Sequence, residues 1–365
     1  MMTRVVTGLV LFLCSVTAAV AQVTPAAGYT PPDDTPSIRV GAVIYPDYTV
    51  QSSPEITDAD GNQVHANSFN VTRSYINITG NISHIVAFRV TPDIARETNP
   101  ASSLNGSLEF RVKYAYAQFN LDDWMPRGSY ARLGIQQTPW LDFAEAIYRY
   151  RFQGTMFVER EGYFSSADAG ASLHYQLPSS YGDVHAGVFN GENYNRAEVN
   201  NQKAFMVRAT VRPLPSGMSV LRGIRGSVFY DADHYVRDAN RRRFMAALTF
   251  EHPYINAAVE YLDTKDRAST SIADPEVDGR GYSIWATPRT AKGWEGLLRY
   301  DHLRPNARFG SRVRNRTIAG IAYWFPHQGN VTSALLFDYD GQTFENFALA
   351  MPKQSRIGVH GLISF

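Results

Sequence analysis

The side chains best suited to binding chemistry are concentrated between residues 139 and 168. Arginines, tyrosines and glutamates lie close together there, and they are Glu145, Tyr148, Arg149, Tyr150, Arg151, Glu159, Arg160 and Glu161. The planar guanidinium of arginine matches the oxygens of phosphate and carboxylate groups, and a tyrosine hydroxyl beside it can donate a further hydrogen bond. This stretch could therefore bind small anions. The alternative is that the glutamates neutralise the arginines and fix the stretch to its surroundings.

Catalytic and metal-binding patterns are not found in the rest of the sequence. The nine histidines show neither the H-x-x-x-H nor the H-E-x-x-H spacing of a metal site. Ser172 and His174 would share a strand face, but no acid is placed to orient the histidine as a hydrolase requires. The single cysteine, Cys14, lies in a segment that we expect to be removed. We therefore expect no enzyme activity, no metal and no cofactor.

The N-terminal residues have the features of a secretory signal. Arg4 precedes an apolar run that is too short to span a bilayer, and the segment ends in a small-residue motif of the A-x-A type. We predict a signal peptide at residues 1–21, a proline-rich linker at 22–37 and one folded domain at 38–365. A membrane anchor is the alternative for the first segment.

The charge balance argues against a nucleic-acid partner. The chain has 35 lysines and arginines and 34 aspartates and glutamates, so removal of Arg4 with the signal leaves 34 of each. A neutral chain offers no broad basic field for a nucleic acid. Aromatic residues make up 13% of the chain, yet no apolar run after the signal reaches the roughly 18 residues of a membrane helix. A polar average with many aromatic residues is compatible with a membrane β-barrel.

Alternation with a period of two residues predicts strands from residue 38 to the end of the chain. In the clearest segment one apolar face is formed by Leu108, Phe110, Val112, Tyr114 and Tyr116. The predicted strands cover 38–46, 68–79, 82–91, 107–121, 129–138, 169–177, 183–190, 203–212, 222–232, 243–252, 255–264, 281–289, 294–304, 315–325, 331–339 and 356–365. We therefore predict an all-β fold, a transmembrane antiparallel β-barrel of about sixteen strands, since bacterial single-chain barrels have an even number.

The connections between these strands are expected to alternate between long and short. The long ones lie near 47–67, 92–106, 139–168, 191–202, 233–242, 265–280, 305–314 and 340–355, and the short ones include 122–128 and 213–221. Long external loops and short periplasmic turns are typical of outer-membrane barrels. A propeller or a β-sandwich is not favoured, because no blade repeat and no domain boundary is visible. The stretch at 139–168 is the third long connection, and we predict that it folds into the barrel and narrows the lumen.

The charge of the lumen follows from which strand residues point inward. An ion-selective pore needs rings of one sign. The inward cations that we expect to set this charge are Arg89, Arg111, Lys113, Arg132 and Arg208, and parity places Arg316 and Arg356 inward as well. These cations predict a net preference for anions. The alternative is that inward acids pair with them, so that the charged side chains only hydrate the wall and select no ion. The basic run Arg241, Arg242 and Arg243 falls at a predicted external strand start, where it would contact anionic lipid headgroups or be solvated.

Short motifs, densest between residues 134 and 215, give the chain a family resemblance. They are GIQQTPW at 134–140, YRYRF at 148–152, FVEREG at 157–162, SSADAG at 165–170, VFNGENYN at 188–195 and RPLP at 212–215. With these motifs the chain resembles the phosphate-selective porin O/P family over roughly residues 38–365. The resemblance implies a passive outer-membrane channel of the general or anion-preferring kind, assembled as a trimer. The terminal Phe365, on an alternating strand, also looks like the assembly signal of outer-membrane barrels.

The sequence thus predicts a porin in the outer membrane of a Gram-negative bacterium, reached after cleavage of a secretory signal. Small hydrophilic solutes would diffuse through it passively, with a mild preference for anions that could extend to phosphate. The expected partners are these solutes, inorganic anions, outer-membrane lipid and further copies of the chain in a homotrimer. The alternative is a secreted or outer-membrane β-rich protein that binds carbohydrate, or an enzyme built on a barrel.

Overall fold

The computed structural model describes residues 34–97, 99–217, 220–267, 270, 275–308, 312–347 and 349–365. The predicted signal peptide and most of the predicted linker lie outside these residues. The strands are β1 (Ser37–Ser53), β2 (Ile56–Thr57), β3 (Gln63–Val64), β4 (Asn67–Asn81), β5 (Val86–Arg96), β6 (Leu108–Asn120), β7 (Tyr130–Gln137), β8 (Ala167–Gln176), β9 (Gly182–Phe189), β10 (Ala204–Val211), β11 (Ile224–Val236), β12 (Ala239–His252), β13 (Ile255–Asp266), β14 (Val277–Pro288), β15 (Trp294–Arg304), β16 (Val313–Phe325), β17 (Thr332–Glu345) and β18 (Gln354–Ser364). Two short helices, α1 (Pro139–Ile147) and α2 (Phe157–Arg160), lie between β7 and β8, and 3₁₀ turns occupy Pro178–Ser180 and Leu221–Gly223.

Sixteen of these strands form one closed antiparallel barrel. Their order follows the chain, with β4 beside β1 and β18 closing the sheet against the other edge of β1. The remaining strands, β2 and β3, pair with each other in the connection after β1. Each of the sixteen predicted strands is present, so the predicted barrel and its strand number are confirmed. Among the described residues, no helix is long and apolar enough to cross a membrane.

Along the barrel strands, large apolar side chains are exposed and many charged and polar side chains are buried, which is the reverse of the pattern in a water-soluble protein. On β13, Val259 is 49% exposed and the next residue, Glu260, is 2% exposed. On β15, Leu298 is 55% exposed and Arg299 is 3% exposed. Because successive strand residues point to opposite faces, one face of the wall is apolar, and the other carries the charged and polar side chains together with apolar ones that are also buried. This arrangement suits a barrel that has lipid outside and polar groups inside.

A β-bulge on β6 corrects the predicted face of that strand. Val112 pairs with Pro92 of β5, and Tyr114 pairs with the residue before Pro92, so Lys113 is an extra residue in β6. Proline has no backbone N–H to donate to the ladder, and a bulge opposite it shifts the alternation by one residue. Val112 is exposed, whereas Tyr114 is buried. The single apolar face predicted for this strand is therefore wrong beyond Val112.

Two connections differ from their predicted lengths. The long connection expected at 233–242 is reduced to the turn residues 237–238, because β11 and β12 extend into it. Its charged residues resemble those of a loop, but Asp233 and Arg241 face each other across the two strands and form an ion pair. Conversely, the connection after β10, which we predict to be short, covers 212–223. The expected alternation of long and short connections is therefore incomplete.

Candidate functional site

The connection between β7 and β8, residues 138–166, forms a compact unit that we call the β7–β8 segment. Helix α1 begins at Pro139, whose fixed φ and missing N–H suit the first helical position. Asp142, in the first turn, lies at the positive end of the helix dipole. The helix ends at Tyr148, where the backbone becomes extended. Six of its nine residues are buried, so packing rather than intrinsic propensity stabilises this short helix.

The β7–β8 segment packs against the buried face of most of the barrel wall. Its apolar side chains form one cluster with a buried side chain from each of the strands β9 to β18, namely Phe189, Met206, Phe229, Met245, Leu262, Trp285, Leu303, Ile318, Leu336 and Leu362. The ring of Trp140 lies 5.9 Å from that of Phe229, and the ring of Tyr148 lies 5.1 Å from that of Trp285. Burial of this much apolar surface makes the segment an ordered part of the fold rather than a floppy loop.

Side chains of the wall also bind backbone carbonyls of the segment. Asn256 donates to the carbonyl of Ile147, at the end of α1, over 3.0 Å. Arg299 donates to the carbonyl of Thr155 over 3.0 Å. A helix leaves its last carbonyls without partners inside the helix. Asn256 of the wall provides a hydrogen-bond donor for one of these carbonyls of α1. These bonds fix the position of the segment relative to the strands.

Arg151 is the centre of a buried group of three charges. Its Nε lies 3.0 Å from Glu145 and its Nη1 lies 2.9 Å from Glu159, and none of the three side chains is more than 13% exposed. Burial raises the pKa of Glu145. Burial is the largest effect on Glu159 and acts in the same direction, but the positive charges of Arg151, Lys113 and Arg73 together outweigh it and lower the pKa of Glu159. The triad joins the end of α1 to α2 and neutralises Arg151.

Arg149 and the two predicted tyrosines lie within the packed part of the segment. Nη1 of Arg149 is 2.9 Å from Glu295 of β15, and its guanidinium is 3.9 Å from the ring centre of Trp324. Tyr148 and Tyr150 have no exposed surface. The indole N–H of Trp324 donates to the hydroxyl of Tyr150 over 3.4 Å. The hydroxyl of Tyr150 is therefore occupied by a contact with the wall, whereas Tyr148 lies beside a small cavity.

Arg160 and Glu161 are each paired with the wall. Arg160 is 3.4 Å from Asp340 of β17 and donates to Gln153 of its own segment over 3.0 Å. Glu161 is 3.1 Å from Arg314 of β16. The eight residues predicted between 145 and 161 are thus brought together in one segment. They form separate ion pairs and aromatic contacts rather than a single ring of exposed charge.

A cavity of about 580 Å³ lies between the segment and the strands β1, β4, β5, β6, β16 and β18, and we call it the arginine cavity. The arginines that line it are Arg73, Arg96, Arg111, Arg151, Arg160, Arg316 and Arg356. The one carboxylate among its lining residues, all of which belong to the described part of the chain, is that of Asp47. The volume suits a small molecule, and the lining favours an anion.

On one side of the arginine cavity, two arginines share a buried carboxylate. Asp93 of β5 has a side chain with no exposed surface, and it lies 2.9 Å from Arg73 and 3.3 Å from Arg111. The side chains of the two arginines are 24% and 31% exposed. The carboxylate thus lies behind the guanidinium groups and orients them, while the groups themselves face the cavity.

On the other side of the arginine cavity, three arginines share one carboxylate. Asp340 of β17 is 1% exposed and lies 3.4 Å from Arg160, 2.8 Å from Arg316 and 2.9 Å from Arg356. Arg356 is 41% exposed. In both clusters the cations outnumber the buried acid and are more accessible than it is, so the surface of the cavity is positive.

The predicted lumen residues Arg89 and Lys113 line a second, smaller cavity of about 40 Å³. Arg89 donates to the amide oxygen of Asn77 over 2.8 Å, and Lys113 donates to the hydroxyl of Tyr75 over 3.1 Å. Arg151 lines both cavities and therefore marks the boundary between them. No cluster of three potential metal-binding side chains occurs in the part of the chain that is described.

The predicted lumen residues Arg132 and Arg208 contact the segment instead of a cavity. Arg132 is 1% exposed and lies 3.7 Å from Asp142 of α1. Arg208 is 4% exposed, forms an ion pair with Asp183 of β9 and donates to the carbonyl of Pro139 over 2.9 Å. Both arginines fix α1 to the wall. Of the five predicted lumen cations, Arg111 alone lines the arginine cavity.

Two arginines of the cavity, Arg73 and Arg96, are missed by the sequence reasoning. Arg96 falls in the predicted loop 92–106, but β5 extends through Arg96 itself. The polar residues Thr91 and Asp93, two positions apart, were the available sign that the strand continues. Arg73 lies in a predicted strand, opposite a register shift in β1. Its importance comes from its contact with Asp93, which the sequence does not show.

Three solved structures that this chain resembles are outer-membrane proteins. The anion-selective porin from Comamonas acidovorans gives a TM-score of 0.63 at 12% identity, with 91% of this chain and 100% of that chain covered. The trimer form of in-vitro folded OmpT from Vibrio cholerae gives 0.61 at 12% identity, with 91% and 100% covered. The outer membrane channel DcaP of Acinetobacter baumannii gives 0.57 at 11% identity, with 93% and 100% covered. The chain has the fold of these barrels. At such identities the likeness shows the fold alone.

No family model and no curated protein matches the chain. The resemblance to the phosphate-selective porin O/P family is therefore not confirmed beyond the barrel architecture. Phosphate selectivity stays a prediction.

Proposed function

We propose that this chain is a porin of the Gram-negative outer membrane, which it reaches after removal of the predicted signal peptide at residues 1–21. The observation that carries the proposal is a closed barrel with an apolar exposed face and a polar buried face. Such a wall separates lipid from a polar interior. Small hydrophilic solutes would move through the interior down their own gradients, without a catalytic step.

In this proposal the β7–β8 segment lies inside the barrel and narrows the path. Support comes from its contacts with the buried faces of the strands β9 to β18, because a loop on the outside could not touch so much of the circumference at once. The arginine cavity and the smaller cavity lie beside β1, β4, β5 and β6. The path would therefore be off-centre, with Arg151 at its narrow point.

The lining of the arginine cavity supports a preference for anions. Its seven arginines accompany a single lining carboxylate, that of Asp47. The buried acids Asp93 and Asp340 are each shared by more than one arginine. An entering anion would meet guanidinium groups first, and their geometry suits phosphate and carboxylate oxygens. Small anions are the proposed solutes, and phosphate is the narrower prediction that rests on the family resemblance.

We also propose a homotrimer, which the resemblance implies. The barrel of OmpT from Vibrio cholerae is described in a trimer form, and the exposed apolar face of this barrel offers surface for subunit contact. Crosslinking in native-like lipid should yield a species of three subunits. Monomers alone would overturn the proposed assembly.

Conductance in planar lipid bilayers tests the porin proposal. The folded protein, identified by heat-modifiable migration in gels, should produce discrete ohmic steps. In a potassium chloride gradient, the sign of the reversal potential should show that chloride passes more easily than potassium. Millimolar inorganic phosphate should reduce the chloride current if phosphate binds in the arginine cavity, whereas an equal effect of sulfate would indicate a general anion preference. A folded protein without conductance steps would overturn the proposal and favour a carbohydrate-binding protein or a barrel enzyme.

A further inference from the structure

Four cations on the exposed face of the barrel lie on four adjacent strands near one end, and we call them the outer cation patch. They are Arg242 on β12, Lys265 on β13, Arg280 on β14 and Arg304 on β15, and all four are exposed. Arg242 lies directly opposite Lys265, and Arg280 lies directly opposite Arg304. Residues directly opposite in an antiparallel pair have Cβ atoms about 5 Å apart, and like charges there repel. The patch therefore contains two repelling cross-strand pairs.

The neighbouring acids leave most of the patch without a partner. Asp263 lies 2.8 Å from Arg280 of the patch, while Asp278 and Glu276 are each 3.1 Å from Arg308 in the following loop. Within the described residues, the remaining three cations of the patch form no ion pair with a carboxylate. Asp278 lies directly opposite Lys265 on the same face, so two acids, Asp263 and Asp278, accompany the four cations and relieve their repulsion only in part. An external anion could relieve the rest.

The basic run Arg241, Arg242 and Arg243 does not belong to the patch as a whole, because strand alternation directs its members to opposite faces of the wall. Arg241 pairs with Asp233, and Arg243 pairs with Asp266 at 2.8 Å, on the buried face of the wall. Arg242, between them, points to the exposed face. Two of the three arginines are therefore part of the polar interior, and one belongs to the outer surface.

Aromatic side chains adjoin the patch on the same face of the same strands. Phe244, Tyr261, Tyr282 and Tyr300 are each between 36% and 43% exposed. In membrane barrels such aromatic residues lie at the level of the lipid headgroups. The cations are closer to the strand ends than the aromatic residues are, so they lie at the level of the headgroup phosphates. Those ends carry the connections after β13 and β15, which we predict to be external.

We propose that the outer cation patch binds the phosphate groups of an anionic glycolipid in the outer leaflet of the outer membrane. The inference rests on the proposed function, because it needs the barrel to span that membrane. Guanidinium and ammonium groups provide the charge that phosphates require, and phosphates between the like-charged pairs would remove their repulsion. The occupant is a lipid rather than a free anion, because the cations continue into an aromatic band along which acyl chains can lie.

Native mass spectrometry of the protein in a non-ionic detergent, titrated with diphosphoryl lipid A, tests this inference. The test variant is Arg242→Gln/Lys265→Gln/Arg304→Gln, which removes the three cations without a carboxylate partner. Its apparent affinity for lipid A should be about a hundredfold weaker, roughly fivefold for each charge removed. Monophosphoryl lipid A should bind the natural chain more weakly than the diphosphoryl form. If the triple variant does not fold, Arg304→Gln alone should show a weakening of about fivefold.

The matched control removes the same charge elsewhere. Arg127, Arg222 and Lys292 are exposed residues in turns at the opposite end of the barrel, and Arg127→Gln/Arg222→Gln/Lys292→Gln should bind lipid A within about twofold of the natural chain, since it leaves the patch intact. Equal losses in both triple variants, or a loss in neither, would overturn the proposal. So would equally tight binding of phosphatidylglycerol, or displacement of lipid A by millimolar inorganic phosphate.

Planar-bilayer recordings of the same samples separate this inference from the porin proposal. Conductance steps together with specific lipid A binding support both. Conductance without lipid A binding would overturn the lipid site alone. Lipid A binding by a protein that never gives conductance steps would overturn the porin proposal while the patch stands.

Discussion

The guanidinium of Arg73 lies 2.9 Å from the carboxylate of Asp93, whose side chain has no exposed surface. Arg111 reaches the same carboxylate from the neighbouring strand. A buried acid behind two more accessible arginines fixes their orientation and leaves an excess of positive charge at the surface of the arginine cavity. The ion preference of the proposed channel should therefore depend on how many arginines share each buried carboxylate.

Removal of the buried acid should strengthen the preference for anions. In Asp93→Asn, Arg73 and Arg111 keep their charges but lose their common partner. A unit charge about 12 Å from the path is worth roughly 1 kcal/mol at an effective dielectric near 20, so the anion permeability ratio should rise severalfold. The reversal potential in a salt gradient measures it. Asp60→Asn, in an exposed loop, should leave the potential unchanged, and a shift toward cations in Asp93→Asn would contradict the assignment.

Arg73 and Arg208 should differ in what their removal changes. Arg73→Gln removes a charge that faces the cavity, so the reversal potential should move toward cations, while the barrel should lose little stability because Arg111 still pairs with the buried Asp93. Arg208 is buried against Asp183 and the carbonyl of Pro139, so Arg208→Gln should cost up to about 3–5 kcal/mol of unfolding free energy with a smaller change in selectivity. Urea unfolding of both variants measures the change in stability, and bilayer recordings measure the change in reversal potential. Equal selectivity shifts would mean that Arg208 also faces the path.

The barrel itself is predictable from the sequence because strand alternation is a local property. Each strand must direct an apolar face outward, and this alternation identifies all sixteen strands, although the bulge in β6 shifts it beyond Val112. Register is not local. The extra residue Lys113 depends on Pro92 of the neighbouring strand, and the charges around Asp233 and Arg241 indicate a loop until the two strands are placed side by side.

The site is predictable only in part, because its charges have partners far away in the sequence. Arg149 pairs with Glu295, 146 positions along the chain, and Arg160 pairs with Asp340, 180 positions along the chain. The density of charged and aromatic residues identifies the β7–β8 segment as special. Whether each arginine faces a cavity or a carboxylate is decided by strands that the local sequence does not specify.

The apolar core of the β7–β8 segment should hold the path narrow. Trp140 is 1% exposed and packs on Phe143 and Phe229, so Trp140→Ala should lower the free energy of unfolding by about 3–5 kcal/mol. The loosened segment should give a larger or noisier single-channel conductance. Trp124→Ala, at a residue that is 65% exposed, is the control and should change neither quantity. An unchanged conductance in Trp140→Ala would mean that the segment does not limit the path.

His84 should make the turn between β4 and β5 sensitive to pH. The hydrogen bond between His84 and Asp34 is the main reason that the pKa of His84 lies above its usual 6.5, and a second hydrogen bond, with Asp123, acts in the same direction. The resulting stabilisation is complete below the unfolded pKa and is lost as the pH rises through the folded value. NMR titration of the imidazole in micelles should give a midpoint above 6.5, and Asp34→Asn/Asp123→Asn should lower it. An identical midpoint in both proteins would show that the carboxylates do not act on His84.

Arg151 provides the sharpest test of how the segment is held. Arg151→Gln would leave Glu145 and Glu159 buried without their ion-pair partner, and breaking a buried ion pair in this way costs roughly 3–5 kcal/mol. The variant should unfold at lower urea concentration, and protease should cut the segment faster. Arg151→Lys keeps the charge and should restore part of the loss.

Removal of all three charges of the triad shows whether Arg151 stabilises the segment through its ion pairs or through the packing of its side chain. In Glu145→Gln/Arg151→Gln/Glu159→Gln no member of the triad keeps a charge without its partner, and replacing a complete buried ion pair by neutral groups is often close to neutral. This variant should therefore be more stable than Arg151→Gln alone, although it carries more substitutions. If the single variant is as stable as the triple variant, the triad does not hold the segment, and the apolar cluster around Trp140 does so alone.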